Sequence, residues 1–203
     1  MFISFEGVDG CGKSLMQKLC AKKLKALGYD VVTTREPGGS DIGKQIRKII
    51  LDSPYDSIDD RTETLLYAAD RSLHVAKVIK PALEANSIVL CDRYVDSSYA
   101  YQGSGRKLGL EDIKTINNFA IDELLPDITF LLNLPLDVAQ SRLRGKKDRL
   151  EQEDIDFFIR TSQAYLQLAQ DNPERFVIID ATQPIPKELN QIMDVILSRL
   201  KTN

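Results

Sequence analysis

At 203 residues, 43% of them apolar, the chain is long enough for one domain with a substantial core. Charge is dense but balanced, 27 basic against 30 acidic side chains for a formal net of −3. That argues against a broad nucleic-acid footprint, while a local basic cluster for small phosphorylated ligands remains open. No apolar run approaches the ~18 residues of a membrane span, so neither nucleic acid nor membrane is an expected partner.

Met1, Phe2, Ile3 and Phe5 predict a short buried strand, which runs into Gly7-Val8-Asp9-Gly10-Cys11-Gly12-Lys13-Ser14 and then a helix over 15–27. The octapeptide matches G-x-x-x-x-G-K-[ST], a loop whose backbone N–H groups surround phosphate. The following helix N-terminus adds free donors and partial positive charge. Lys13 can reach β- and γ-phosphates, and the Ser14 hydroxyl can ligate Mg²⁺. Nucleoside-triphosphate binding is therefore the first functional expectation. The motif begins too soon after Met1 for a secretory leader. Cys11, Cys20 and Cys91 lack the spacing of a disulfide or metal framework, so a reducing cytoplasm is the expected location.

Residues 30–34 read as a second strand. Residues 40–51 read as a helix with Ser40 as N-cap and Ile42, Ile46, Ile49 and Ile50 on one apolar face. Residues 61–85 carry a long helical pattern that Pro81 should kink or restart. Strands follow at 88–91, 128–134 and 176–179, and helices at 110–124, 136–144, 154–170 and 185–200. A basic break spans 145–149. Five strands alternating with helices predict an α/β fold with a parallel sheet, whose ligands bind at the carboxyl ends of the strands. The conspicuous polar residues fall there: Asp9, Arg35-Glu36, Asp92-Arg93 and Asp180. Asp92 suits a carboxylate that holds Mg²⁺, and Arg93 a guanidinium between two phosphates; a local ion pair after a strand would use the same two residues. The lone histidine, His74, shows no partner and reads as structural.

The segments FEGVDGCGKS, REPGG, LLYAADR, CDRYVDSSYAYQG, DRLEQE and IDATQP, in order from Phe5 to Pro184, resemble the bacterial thymidylate kinase family. The phosphate loop is generic; REPGG together with D-R-Y-x-D-S-S-x-A-Y-Q-G is specific. The resemblance implies a single nucleoside monophosphate kinase-like domain over 1–203, with five parallel strands flanked by helices and a short basic lid at about 142–152. It implies transfer of the γ-phosphoryl of ATP to dTMP with Mg²⁺, giving dTDP and ADP, and a homodimer through the long helices.

Residue by residue, the resemblance puts Tyr67, where the family usually has Phe, against thymine. It puts Arg71 on O4, Ser98 and Gln102 on the base edge, and Tyr101 under the sugar at C2′. Asp9 would face the 3′-hydroxyl, Arg35 and Glu36 would sit at the acceptor edge, and Arg47 would approach the acceptor phosphate, although a solvated helix face suits Arg47 equally. The phosphate loop has no arginine, so the lid is expected to supply the catalytic one: Arg149 first, Arg144 next, with Arg142 and Gln183 near adenine. Lys13, Arg93, Arg149 and Asp9 are thus the expected catalytic set, and Ser14 and Asp92 the metal ligands. Two alternatives stand beside this reading: a kinase for another nucleoside monophosphate, and an ATP-driven switch.

Overall fold

The computed structural model describes residues 1–143 and 147–202. Five short strands, β1 (Phe2–Glu6), β2 (Val31–Arg35), β3 (Ile88–Asp92), β4 (Ile128–Asn133) and β5 (Phe176–Asp180), form one sheet in the order β2-β3-β1-β4-β5, every neighbouring pair parallel. β1 and β3 are buried along their whole length, as expected of strands covered on both faces.

Alternation along β1 divides the core. Ile3 and Phe5 point into a layer with Met16, Cys20 and Leu24 of α1 (Lys13–Ala26) and Ile192, Met193 and Ile196 of α9 (Ile185–Thr202). Phe2 points to the opposite layer, with Tyr94, Ile113 and Tyr165. By the same two-residue period Ser4 and Glu6 share the Phe2 side. Ser4 Oγ meets Thr129 Oγ1 at 2.9 Å there, so polar groups on this face are paired rather than stranded.

Ser40 caps α2 (Asp41–Asp52) as expected, accepting from Gly43 N at 3.0 Å. The single apolar face foreseen on α2 is divided instead: Ile50 is buried, but Ile42 and Ile49 are 58% and 49% exposed. The long helix foreseen over 61–85 is also divided. α3 (Asp60–His74) runs into a π-helical stretch, Val75–Ile79, and then α4 (Lys80–Glu84). Pro81 has no N–H to donate, and the hydrogen-bond ladder widens just before it.

A segment without a predicted element, after β3, is helical: α5 (Val95–Ser98) continues into a π-helical stretch, Tyr99–Gly105. α6 (Leu110–Ile121) packs beside α3. α7 (Leu136–Arg142) ends at an extended Leu143, inside the range expected for it. A 3₁₀ turn (Leu150–Gln152) precedes α8 (Ile155–Asp171), which Asp154 caps through Phe157 N at 2.7 Å. Among the described residues no helix is long and apolar enough to cross a membrane.

Candidate active site

The loop after β1 folds around its own lysine. Lys13 Nζ donates to Gly7 O at 2.9 Å and Val8 O at 2.8 Å, which holds the ammonium over the loop. Gly10 has φ of 84°, and a Cβ there would lie 2.4 Å from the Ala139 carbonyl oxygen of α7. Glycine at this position thus satisfies both a left-handed turn and a close backbone approach. Ser14 Oγ donates to Asp92 Oδ2. The register of β3, with Asp92 opposite Phe5 of β1, sets the strand end beside the loop. These two hard oxygens are of the kind Mg²⁺ takes when most of its shell comes from water and phosphate.

Arg93 follows with φ of 68°, a left-handed residue that turns its side chain across the loop. Its Nη2 lies 2.7 Å from Asp9 Oδ1 and 3.1 Å from Tyr101 Oη. Its Nη1 lies 3.1 Å from Ser97 Oγ and 3.2 Å from Tyr165 Oη. Burial works against the charge of Asp9, but Arg93 and Lys13, with hydrogen bonds from Arg93 and Tyr101, outweigh it and hold the carboxyl well below the ordinary range. The expected juxtaposition of Asp9 with phosphate is therefore electrostatically neutralised in advance.

A cavity of about 350 Å³ joins this loop to a second group of side chains. Asp9, Gly10, Gly12, Lys13, Ser14, Asp92 and Arg93 line one side. Arg35, Glu36, Arg47, Tyr67, Arg71, Ser98, Tyr101 and Gln102 line the other, and Arg142 also lines the cavity. Tyr67 and Arg71 stand one turn apart on α3. Burial pushes the Tyr67 hydroxyl well above its usual range. Arg47 Nη1 donates to Pro37 O at 3.0 Å.

Arg71 is wholly buried. Its Nε donates to Glu36 Oε2 at 2.7 Å, its Nη1 to Ser98 Oγ and Asn117 Oδ1, and its Nη2 to Tyr94 O at 3.2 Å. Four of the five guanidinium N–H groups are thus engaged, leaving one on Nη2 for a ligand acceptor. Glu36 also takes His74 Nδ1 at 2.9 Å, while His74 Nε2 meets Thr34 Oγ1 at 2.6 Å. His74, foreseen without a partner, is a structural link between β2 and α3.

Not every residue expected at the site lines this cavity. Gly7, Val8, Cys11 and Gln183 do not line it. Cys11 is enclosed, and Gln183 Oε1 is an enclosed acceptor with no protein partner among the described residues. Arg149 faces away: its Nε donates to Ile50 O at 2.8 Å and its Nη2 to Glu63. The buried Glu63 carboxylate and the Ile50 carbonyl hold its guanidinium there. Arg144 lies outside the described residues.

The structure adds groups that sequence reading passed over. Glu6, on the Phe2 side of β1, accepts from Tyr94 N at 2.7 Å, Ser97 Oγ at 2.6 Å and Tyr165 Oη at 2.8 Å. Burial, with the nearby Asp96 charge, raises its pKa. A charged residue ending an apolar strand was the available signal. Glu63 is fully buried on α3 and takes Gln102, Arg106 and Arg149; its sequence neighbours gave no such signal.

A family model described as thymidylate kinase matches residues 5–192 of this chain. A thymidylate kinase of Lactobacillus acidophilus is 47% identical over 98% of this chain and 94% of its own length. The thymidylate kinase of Halothermothrix orenii is 49% identical over 89% of this chain and 88% of its own. That of Staphylococcus haemolyticus is 43% identical over 98% of both.

Proposed function

Because the chain belongs to the thymidylate kinase family, we propose that its phosphorylation of dTMP to dTDP with ATP runs in the single cleft at the carboxyl ends of β1, β2 and β3. The observation that carries this is the continuity of one cavity from Lys13 and Ser14 to Tyr67, Arg71, Ser98 and Gln102. Donor and acceptor halves so joined suit direct transfer, whereas a switch needs only the first.

In this reading the loop of Gly7 to Ser14 cradles the ATP phosphates, with Lys13 neutralising the charge that spreads over the transferring group. Arg93, already spanning from the loop to Tyr101, bridges donor and acceptor phosphates. Asp9 fixes Arg93 and faces the sugar 3′-hydroxyl. Tyr67 stacks on the base, the remaining Arg71 N–H meets O4, and Ser98 and Gln102 read the edge. Tyr101 packs under the sugar, and Arg35, Glu36 and Arg47 frame the acceptor phosphate. No general base is required, because the dTMP phosphate is ionised at neutral pH and attacks once aligned.

Ser14 and Asp92 are the residues that would hold Mg²⁺, which supplies charge neutralisation at the phosphates when bound. Their adjacency and hard-oxygen chemistry fit that ion. For the lid, Arg142 lines the cavity and becomes the first candidate for the arginine that shields the phosphoryl, with Arg144 second. Arg149, held by Glu63 and Ile50, anchors the lid base instead. Gln183, in the loop after β5, lies near adenine in this reading. The reading includes a homodimer, supported by the exposed Leu65 and Phe119 on adjacent α3 and α6, and a cytoplasmic location, suited to three unpaired buried cysteines.

The test is ADP formation with Mg-ATP and each of dTMP, dUMP, dCMP, dGMP and UMP, with Lys13→Ala as control. Turnover highest with dTMP and lost in the control supports the reading. Preference for another monophosphate sinks the acceptor assignments, and acceptor-independent ADP formation favours the switch.

A further inference from the structure

Gln102 is an amide, and an amide can face a base with either its oxygen or its NH₂. Thymine presents an N3–H donor beside the O4 acceptor; cytosine presents the reverse, an N3 acceptor beside an amino donor. A freely turning glutamine would serve both. Something in this protein must therefore fix which end of Gln102 meets the ligand.

Glu63 has the required properties. It lies on α3, four residues before Tyr67, and is fully buried. Its Oε1 takes Gln102 Nε2 at 2.7 Å and Arg106 Nε at 3.4 Å. Its Oε2 takes Arg106 Nη2 at 2.9 Å and Arg149 Nη2. Two guanidiniums, which only donate, converge on this carboxylate, so both of its oxygens act as acceptors. Gln102 must then turn its NH₂ toward Glu63, because its oxygen against a carboxylate oxygen would be repulsive. Gln102 Oε1 has no protein partner among the described residues and is not enclosed. Since Gln102 and Arg71 line the same cavity, that oxygen is the end of the amide left for a ligand there.

We propose that Glu63 is a specificity-determining positioning residue: by locking the Gln102 amide, it makes the acceptor site present an acceptor to N3 and a donor to O4, and so selects thymine over cytosine. Arg106 and Arg149 hold the lock, which links base reading to the root of the 3₁₀ turn at Leu150–Gln152. The inference rests on the dTMP reading above.

The experiment compares kcat/KM for dTMP and dCMP in the wild type, Glu63→Gln and Arg106→Gln. A glutamine at position 63 can donate as well as accept, so the Gln102 amide is released to turn. The ratio of dTMP to dCMP is expected to fall roughly tenfold to a hundredfold in Glu63→Gln, mainly through a higher KM for dTMP and a lower one for dCMP. Arg106→Gln leaves the carboxylate in place but removes one of the two guanidiniums that hold the lock, so it is expected to lower the ratio by less than Glu63→Gln does. Loss of both activities in proportion, with the ratio unchanged, would assign Glu63 a merely structural part and overturn the proposal. If Glu63→Gln does not fold, neutron diffraction on the deuterated wild type with dTMP decides. Gln102 deuterons facing Glu63 support the lock; deuterons facing the base overturn it. A wild type that does not prefer dTMP would defeat the acceptor reading itself, a result distinct from an unchanged ratio in the variant.

Discussion

Arg93 ties the phosphate loop to the acceptor side of the cavity. Its left-handed backbone and its fork of donors place it between Asp9, Tyr101, Ser97 and Tyr165, and Glu6 holds the last two from behind. A lysine could keep the ion pair with Asp9 but not the planar fork. Arg93→Lys is therefore expected to melt near the wild type and to lose about 10²–10³ in kcat/KM for dTMP; near-normal turnover would remove Arg93 from the phosphoryl path. Asp70 shows a different use of burial. It accepts Gly38 N through both carboxylate oxygens, at 3.1 and 3.2 Å, while burial and then the Glu36 charge push its pKa up to about 6 from 3.8. The folded state binds this proton more tightly than the unfolded chain. The resulting stabilisation is full below pH 3.8 and is lost as pH rises through about 6. An asparagine side chain in its place would keep an acceptor for Gly38 without titrating. Urea melts should then show Asp70→Asn gaining on the wild type by up to about 3 kcal/mol between about pH 4 and pH 7; a pH-independent difference would contradict this.

At the level of elements, the site depends on how helices begin. Ser40 starts α2 through Gly43 N, and α2 carries Arg47 to the acceptor side. Ser40→Ala should cost about 1 kcal/mol and, for a chain of this length, lower Tm by roughly 2–4 °C. Calorimetry would show it, and an unchanged Tm would mean that the cap is replaced by water. Gly10 makes the analogous statement for the phosphate loop. A methyl there meets the Ala139 carbonyl and an unfavourable φ at once, so Gly10→Ala should raise KM for ATP by roughly tenfold to a hundredfold through strain of about 1–3 kcal/mol. These features were legible in the sequence, since caps and phosphate loops are local patterns of a few residues. The β1, β3 and β4 strands were legible as apolar runs for the same reason. The helical stretch from Val95 to Gly105 was not. Its serines, tyrosines and glycines have little helical propensity, and packing against α6 and α8 imposes the conformation. Glu63 and the inward turn of Arg149 were equally hidden. A charged residue on a helix or in a basic loop reads as solvated until its partner, 86 positions away, is seen.

The whole molecule places its charges and its apolar surface separately. The cavity's cations are local, and Asp9 and Glu36 balance Arg93 and Arg71 among them, in keeping with a chain of net charge −3. Two of the large apolar residues that the core does not absorb lie on neighbouring helices. Phe119 of α6 is 90% exposed and Leu65 of α3 is 57% exposed, and the two helices pack side by side. A solvated phenylalanine forgoes about 1.5–3 kcal/mol that burial would return, and a twofold contact would bury it on both copies at once. α3 also carries Glu63, Tyr67 and Arg71 on its inner side, so a partner pressed against its outer side would steady the acceptor pocket. The wild type is therefore expected to sediment as a dimer, and the double variant Leu65→Glu with Phe119→Glu as a monomer. Its KM for dTMP should rise while its KM for ATP stays close to that of the wild type, because the phosphate loop lies on β1 and α1, away from this face. A wild type that is monomeric at tens of micromolar, or a double variant that still dimerises, would move the contact off these helices. Monomerisation with both KM values unchanged would keep the interface and remove its bearing on the pocket.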